Sequence, residues 1–117
     1  MELQVEKLEN ITVVTLKVEF IDASNNRDFK NQMNALLPSV KNLLIDLHAV
    51  QFIDSSGLAA LLTCLKQISV SGGDMKVCCI TSPVRALFDL VKMNRIVEVC
   101  KTREDGVKAF AQKTAGG

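Results

Sequence analysis

The sequence predicts an α/β domain in which a mixed β-sheet of about four or five strands carries about four α-helices. Three observations lead there. Short apolar, β-branched runs alternate with stretches whose apolar residues recur at helical spacing. The elements follow in the order β-β-α-β-α-β-α-β-α, which belongs to a sheet with helices packed on it. The first two runs are joined tightly enough for a hairpin, whereas the later ones are separated by whole helices, the connection that parallel neighbours require. A chain of 117 residues holds one core, so residues 1–117 are expected to form a single domain, with a frayed tail at 114–117.

Leu3 and Val5, then residues 11–18, give two strands around a tight connection at Glu9-Asn10. The second run, ITVVTLKV, is apolar on both sides, as for a strand covered on both faces, and is expected to be the central strand. Asp22-Ala23-Ser24-Asn25 supplies helix-starting side chains, and Phe29, Met33, Leu36 and Leu37 form one stripe, so a helix is expected over 25–37. Pro38 discourages its continuation, and residues 43–47 form the next strand. Leu58, Leu61, Leu62, Leu65 and Ile68 line one face of a second helix over 56–70, which Gly72-Gly73 ends.

Residues 75–80 make another strand, and Ser82 with Pro83 reads as a cap followed by a first-turn proline. Val84, Leu87, Phe88 and Val91 form a third stripe, and residues 96–99 a last short strand. Thr102-Arg103-Glu104-Asp105 resembles a capping box with Asp in place of Glu, opening a final helix with a weak stripe of Val107, Phe110 and Ala111.

Composition narrows the function. The net charge is +1, basic residues form no run, and Phe is the sole aromatic type, so neither a charged groove nor a stacking platform for nucleic acid is expected. Apolar segments are all far shorter than the ~18 residues of a membrane span, and the N-terminal stretch lacks a basic start followed by an apolar run, so a cytoplasmic location is expected. Cys64, Cys78, Cys79 and Cys100 contain no C-x-x-C pair and lie in apolar segments, where cysteine packs as a small hydrophobe. No metal or cofactor is expected, because carboxylates, His48 and cysteines show no ligand spacing and no G-x-G-x-x-G or Walker loop is present.

The chemistry concentrates at Asp54-Ser55-Ser56-Gly57, where a strand-loop-helix unit places hydroxyls at a helix N-terminus. Asp and Ser there accept hydrogen bonds from first-turn N–H groups, and the positive end of the helix dipole favours an anion. Without a nucleotide cradle, phosphate carried covalently on a serine is the better reading. A helix cap needs one hydroxyl, and this turn has two. The small side chains Ala59, Ala60 and Thr63, off the leucine stripe, are expected to leave a flat docking surface beside it. Catalysis by Ser55 is not expected, since the G-x-S-x-G elbow is missing and His48 is the only histidine.

Phe52-Ile53-Asp54-Ser55-Ser56-Gly57-Leu58 resembles the signature of bacterial anti-sigma factor antagonists, small single-domain members of the STAS superfamily. Glu19-Phe20-Ile21-Asp22, Ser71-Gly72-Gly73-Asp74 and Ser82-Pro83-Val84-Arg85-Ala86-Leu87-Phe88 resemble further parts of that family, although Ala59 stands where it often has Gly. The resemblance implies a STAS-like fold with helices mainly on one side of the sheet and a non-enzymatic partner switch. In that switch the unphosphorylated domain binds an anti-sigma factor, often a serine kinase of the GHKL type, and frees a sigma factor. It also maps phosphorylation by that kinase to Ser55 and implies a PP2C-type phosphatase that reverses it. The expected partner-binding residues are Asp22, Asp54, Ser56, Gly57, Ala59, Ala60 and Thr63. Gly57 is read as permitting close backbone approach. The alternative is a STAS-type scaffold regulated by phosphorylation in a signalling complex without a sigma factor.

Overall fold

In the computed structural model the backbone is described over residues 1–116 and the side chains over 1–111; of the tail expected to fray, 114–117, residues 114–116 fall within the last helix and Gly117 lies outside the described residues. Strands β1 (Leu3–Leu8), β2 (Ile11–Leu16), β4 (Asn42–Asp46), β6 (Asp74–Cys78) and β7 (Glu98–Cys100) form a mixed sheet in the order β1-β2-β4-β6-β7. Only β1 runs antiparallel, pairing β2 from Leu3 with Leu16 to Leu8 with Ile11. The hairpin turns at Glu9, which adopts φ 54. A second, two-stranded parallel sheet joins β3 (Phe20–Ile21) to β5 (Phe52–Ile53). Neither short strand is marked by periodicity, because two residues are too few to alternate.

The helices are α1 (Asn26–Leu36), α2 (Ser55–Val70), α3 (Ser82–Val91) and α4 (Arg103–Gly116). Strand period 2 sorts the sheet into two faces. Val14, Leu16, Leu43, Ile45, Met75 and Val77 point to one, where Phe29 and Met33 of α1, Leu61, Cys64 and Ile68 of α2, and Val84 and Phe88 of α3 bury them. Ile11, Val13, Leu44, Cys78 and Cys100 point to the other, under Phe110 of α4. The helices therefore lie mainly on one side, with α4 alone across the sheet. This two-sided cover explains why every residue of β2 is buried; the strand is interior, while the centre of the sheet is β4.

Local chemistry sets the element ends. Gly72 takes φ 84, and Gly73 N–H reaches Ile68 O at 2.9 Å, closing α2 in the left-handed conformation glycine tolerates. Asp105 N–H donates to Thr102 Oγ at 3.0 Å at the start of α4. Thr81, not Ser82, occupies the cap position of α3; its hydroxyl donates to Val50 O at 2.6 Å, pinning that helix to the loop after β4. No helix among the described residues is long and apolar enough to cross a membrane.

Candidate functional site

The end of β5 leads straight into α2, and Asp54 stands between them in extended conformation as the helix cap. Its Oδ1 accepts the Gly57 N–H at 2.9 Å and the Ser56 hydroxyl at 2.6 Å. These bonds, the Ser56 hydroxyl first and the Gly57 N–H second, hold the Asp54 carboxyl below its ordinary value. Its Oδ2 accepts the Ala23 N–H at 3.3 Å, so one carboxylate caps the helix and also touches the turn after β3.

That turn arrives by register. Phe20 pairs with Phe52 and Ile21 with Ile53, which sets the Asp22 and Asp54 turns side by side, and Asp54 N–H donates to Ile21 O at 3.1 Å. Asp22 holds its own loop: Oδ1 accepts the Ser24 N–H at 2.9 Å and the Ser24 hydroxyl at 2.6 Å. Asn25 Oδ1 accepts the Asp22 N–H at 2.9 Å.

Ser55 is the first residue of α2 and is exposed, and among the described residues no hydrogen bond engages its hydroxyl. Ser56 is half-buried and spends its hydroxyl on Asp54. The two adjacent serines are thus unlike: one locks the cap, the other faces solvent at the positive end of a 16-residue helix. No base is hydrogen-bonded to the Ser55 hydroxyl among the described residues, and His48 Nδ1 lies 2.9 Å from Asp46 Oδ1 instead.

Two of the residues expected to bind the partner require correction. Ala60 is 1% exposed, in the core, and is withdrawn from the docking face; Ala59 and Thr63 are exposed. Gly57 is buried as well, because a Cβ there would sit 2.4 Å from Ile21 O. The close approach its bareness permits is that of this chain's own β3. The reason is the rotation of α2: its buried meridian runs through Gly57, Ala60, Leu61, Cys64 and Ile68, while Leu58, Leu62 and Leu65 flank it. Small residues occupy the line of closest contact.

Sequence reading passed over Phe20 and Phe52, which are 45% and 57% exposed and are partners across β3 and β5. Two large apolar rings standing out beside capped turns form a patch; their only signal was an aromatic immediately before each Ile-Asp pair. The cysteines fall into the core as expected, Cys64, Cys78 and Cys100 buried and Cys79 half-buried. Burial pushes the Cys64 thiol up to about 12 and raises those of Cys78, Cys79 and Cys100 as well.

An anti-sigma F factor antagonist of Paenibacillus polymyxa is 28% identical over 101 residues, covering 85% of this chain and 86% of that one. The crystal structure of an anti-sigma factor antagonist from Mycobacterium paratuberculosis superposes with a TM-score of 0.83 at 23% identity, over 92% of each chain. The phosphorylated form of the Bacillus cell fate determinant SpoIIAA gives 0.70 at 15% identity, over 93% of this chain and 99% of that one. At those identities the two structures establish a shared fold. The family model of the STAS domain matches residues 2–106, so this chain, with its mixed sheet and its Asp-Ser-Ser-Gly helix tip, belongs to the STAS domain family.

Proposed function

We propose that the chain is an anti-sigma factor antagonist whose binding is switched off by phosphorylation of Ser55. The observation that carries this reading is the contrast between the two serines: Ser55 presents a hydroxyl to solvent, while Ser56 is tied to Asp54 at 2.6 Å. In this reading the partner, an anti-sigma factor that is itself a serine kinase, rests on the rim formed by Phe20, Phe52, Asp22, Asp54, Ala59 and Thr63. The kinase transfers phosphate to Ser55, and a PP2C-type phosphatase removes it. The relatives' names and the phosphorylated state named for the Bacillus protein support the reading. The domain contributes no catalytic group, and it works in the cytoplasm, where sigma factors act.

The physics of the switch is local. A phosphoserine brings about −1.5 to −2 charges to a helix tip. In the free domain the first-turn N–H groups and dipole accommodate it, so the fold survives. In the complex that charge must be desolvated or repelled, at a cost of several kcal/mol. A loss of ~4 kcal/mol weakens binding roughly a thousandfold, enough to part the partners.

The test compares wild type, Ser55→Ala and Ser55→Asp for binding to the anti-sigma kinase by calorimetry, with radiolabelled ATP to follow transfer. Ser55→Ala is expected to bind and to remain unlabelled, and Ser55→Asp to bind more weakly by at least tenfold. Equal binding of both variants, or undiminished labelling of Ser55→Ala, overturns the assignment.

A further inference from the structure

On the opposite face of the sheet, three metal-ligating side chains converge where sequence spacing shows nothing. The Asp46 carboxylate and the sulfurs of Cys78 and Cys79 lie within 4.8 Å of one another. Two features of the fold bring them together. Asp46 and Cys78 are register partners at the ends of β4 and β6, so both point toward α4. Cys79, the next residue along, would face the other side of a regular strand. It adopts φ 63 instead, a left-handed backbone conformation uncommon for residues other than glycine, and its sulfur comes round to join Cys78. The donors come from the ends of two strands and the residue that follows one of them, which is why no local motif announced them.

We propose that Asp46, Cys78 and Cys79 form a binding site for a thiophilic divalent cation of the zinc class. Two thiolates and a carboxylate match the ligand types of that class, with a water completing the tetrahedron. Ligand bonds of about 2.0 to 2.3 Å need donor atoms roughly 3.3 to 3.8 Å apart, so donors within 4.8 Å of one another must draw in by up to about 1.5 Å. The carboxylate is already oriented, since Oδ1 accepts the His48 N–H at 2.9 Å and lies 2.9 Å from Nδ1. Ligating carboxylates are commonly hydrogen-bonded in turn, and His48 supplies that outer support here. Asp46 and Cys78 are buried while Cys79 is half-buried and His48 exposed, which gives the cation an entry path. Cys100, next in the row beside Cys78, directs its sulfur to Glu98 Oε2 at 3.8 Å and stands outside the ligand set.

Binding is an exchange of ions. One divalent cation enters, the two thiols each lose a proton to solvent, and the net charge of the cluster is unchanged. The cation supplies the charge that holds two thiolates beside a carboxylate.

The test uses the reduced 117-residue chain, stripped of metal by a chelator and titrated with cobalt(II) and then zinc. Expected are one cobalt per chain with thiolate-to-metal charge-transfer absorption, its displacement by one equivalent of zinc, and release of two protons per zinc near neutral pH. Cys79→Ser, at the half-buried position, is expected to remove the charge-transfer band of the full set and to lower zinc affinity by about 100-fold, His48→Ala to lower it by about 10- to 100-fold, and Cys64→Ala, across the sheet, to leave it unchanged. Circular dichroism of each variant without metal reports folding separately. No charge-transfer absorption in folded wild type, or the same affinity in folded Cys79→Ser, overturns the proposal.

Discussion

Asp54 carries the densest set of bonds at the helix tip, and its protonation has a defined consequence. Because its folded value is depressed, its stabilising contribution is present above the ordinary aspartate range and is lost as pH falls through the depressed value. Ser56→Ala removes the largest cause of the depression, so the Asp54 titration, followed by its side-chain carbon shift, is expected to move up in pH, and the acid loss of the cap with it. An unmoved titration would mean that the hydroxyl bond contributes nothing. Gly57→Ala is expected to destabilise the fold by ~1 to 3 kcal/mol in urea denaturation, because its Cβ meets Ile21 O at 2.4 Å and backbone has little room to yield. At this scale the sequence made the identity of the tip legible and left its division of labour dark. Asp-Ser-Ser-Gly announces a cap, yet which hydroxyl bonds inward depends on the angle at which β5 enters α2, and that angle is tertiary.

Among the elements, α2 shows why stripe reading goes astray. Leucines mark an apolar face by size, but a helix lying close to a strand needs Gly57 and Ala60 at the contact, with leucines spreading to either side. The stripe found the helix and missed its rotation. The strand ends tell a similar story: β6 was expected to reach residue 80 and stops at Cys78 because Cys79 leaves strand geometry. The last strand begins at Glu98, since residues 93–95 form a 3₁₀ turn and Ile96 remains 54% exposed. For the β3 and β5 pair, Phe52→Ala is expected to change stability by no more than ~0.5 kcal/mol, as an exposed side chain does. The same change is expected to weaken partner binding by about tenfold, since apolar anchors dominate interfaces. Unaltered affinity in a binding titration would place the docking surface elsewhere.

Across the whole molecule, the alternation of elements was enough to specify a mixed sheet, but not which helix crosses to the far face. The weak stripe of α4 concealed its partner: Phe110 closes the second core, and Lys76, buried beneath it at 5.0 Å from the ring centre, pairs with Asp74 and Glu98. Phe110→Ala is expected to cost ~3 to 5 kcal/mol in urea denaturation while leaving affinity at the Ser55 face unchanged wherever the chain remains folded. A parallel fall in affinity would show the two faces to be coupled. One last feature reaches beyond stability. The Asp54 carboxylate grips the backbone of Ala23, a residue 31 positions away, so the platform around Ser55 is assembled from distant stretches of chain. A synthetic peptide of residues 48–62 offers only half of it and is expected to be a poor kinase substrate. If Ser55 is the phosphate acceptor, recognition would follow the folding of both stretches, since neither alone builds the platform.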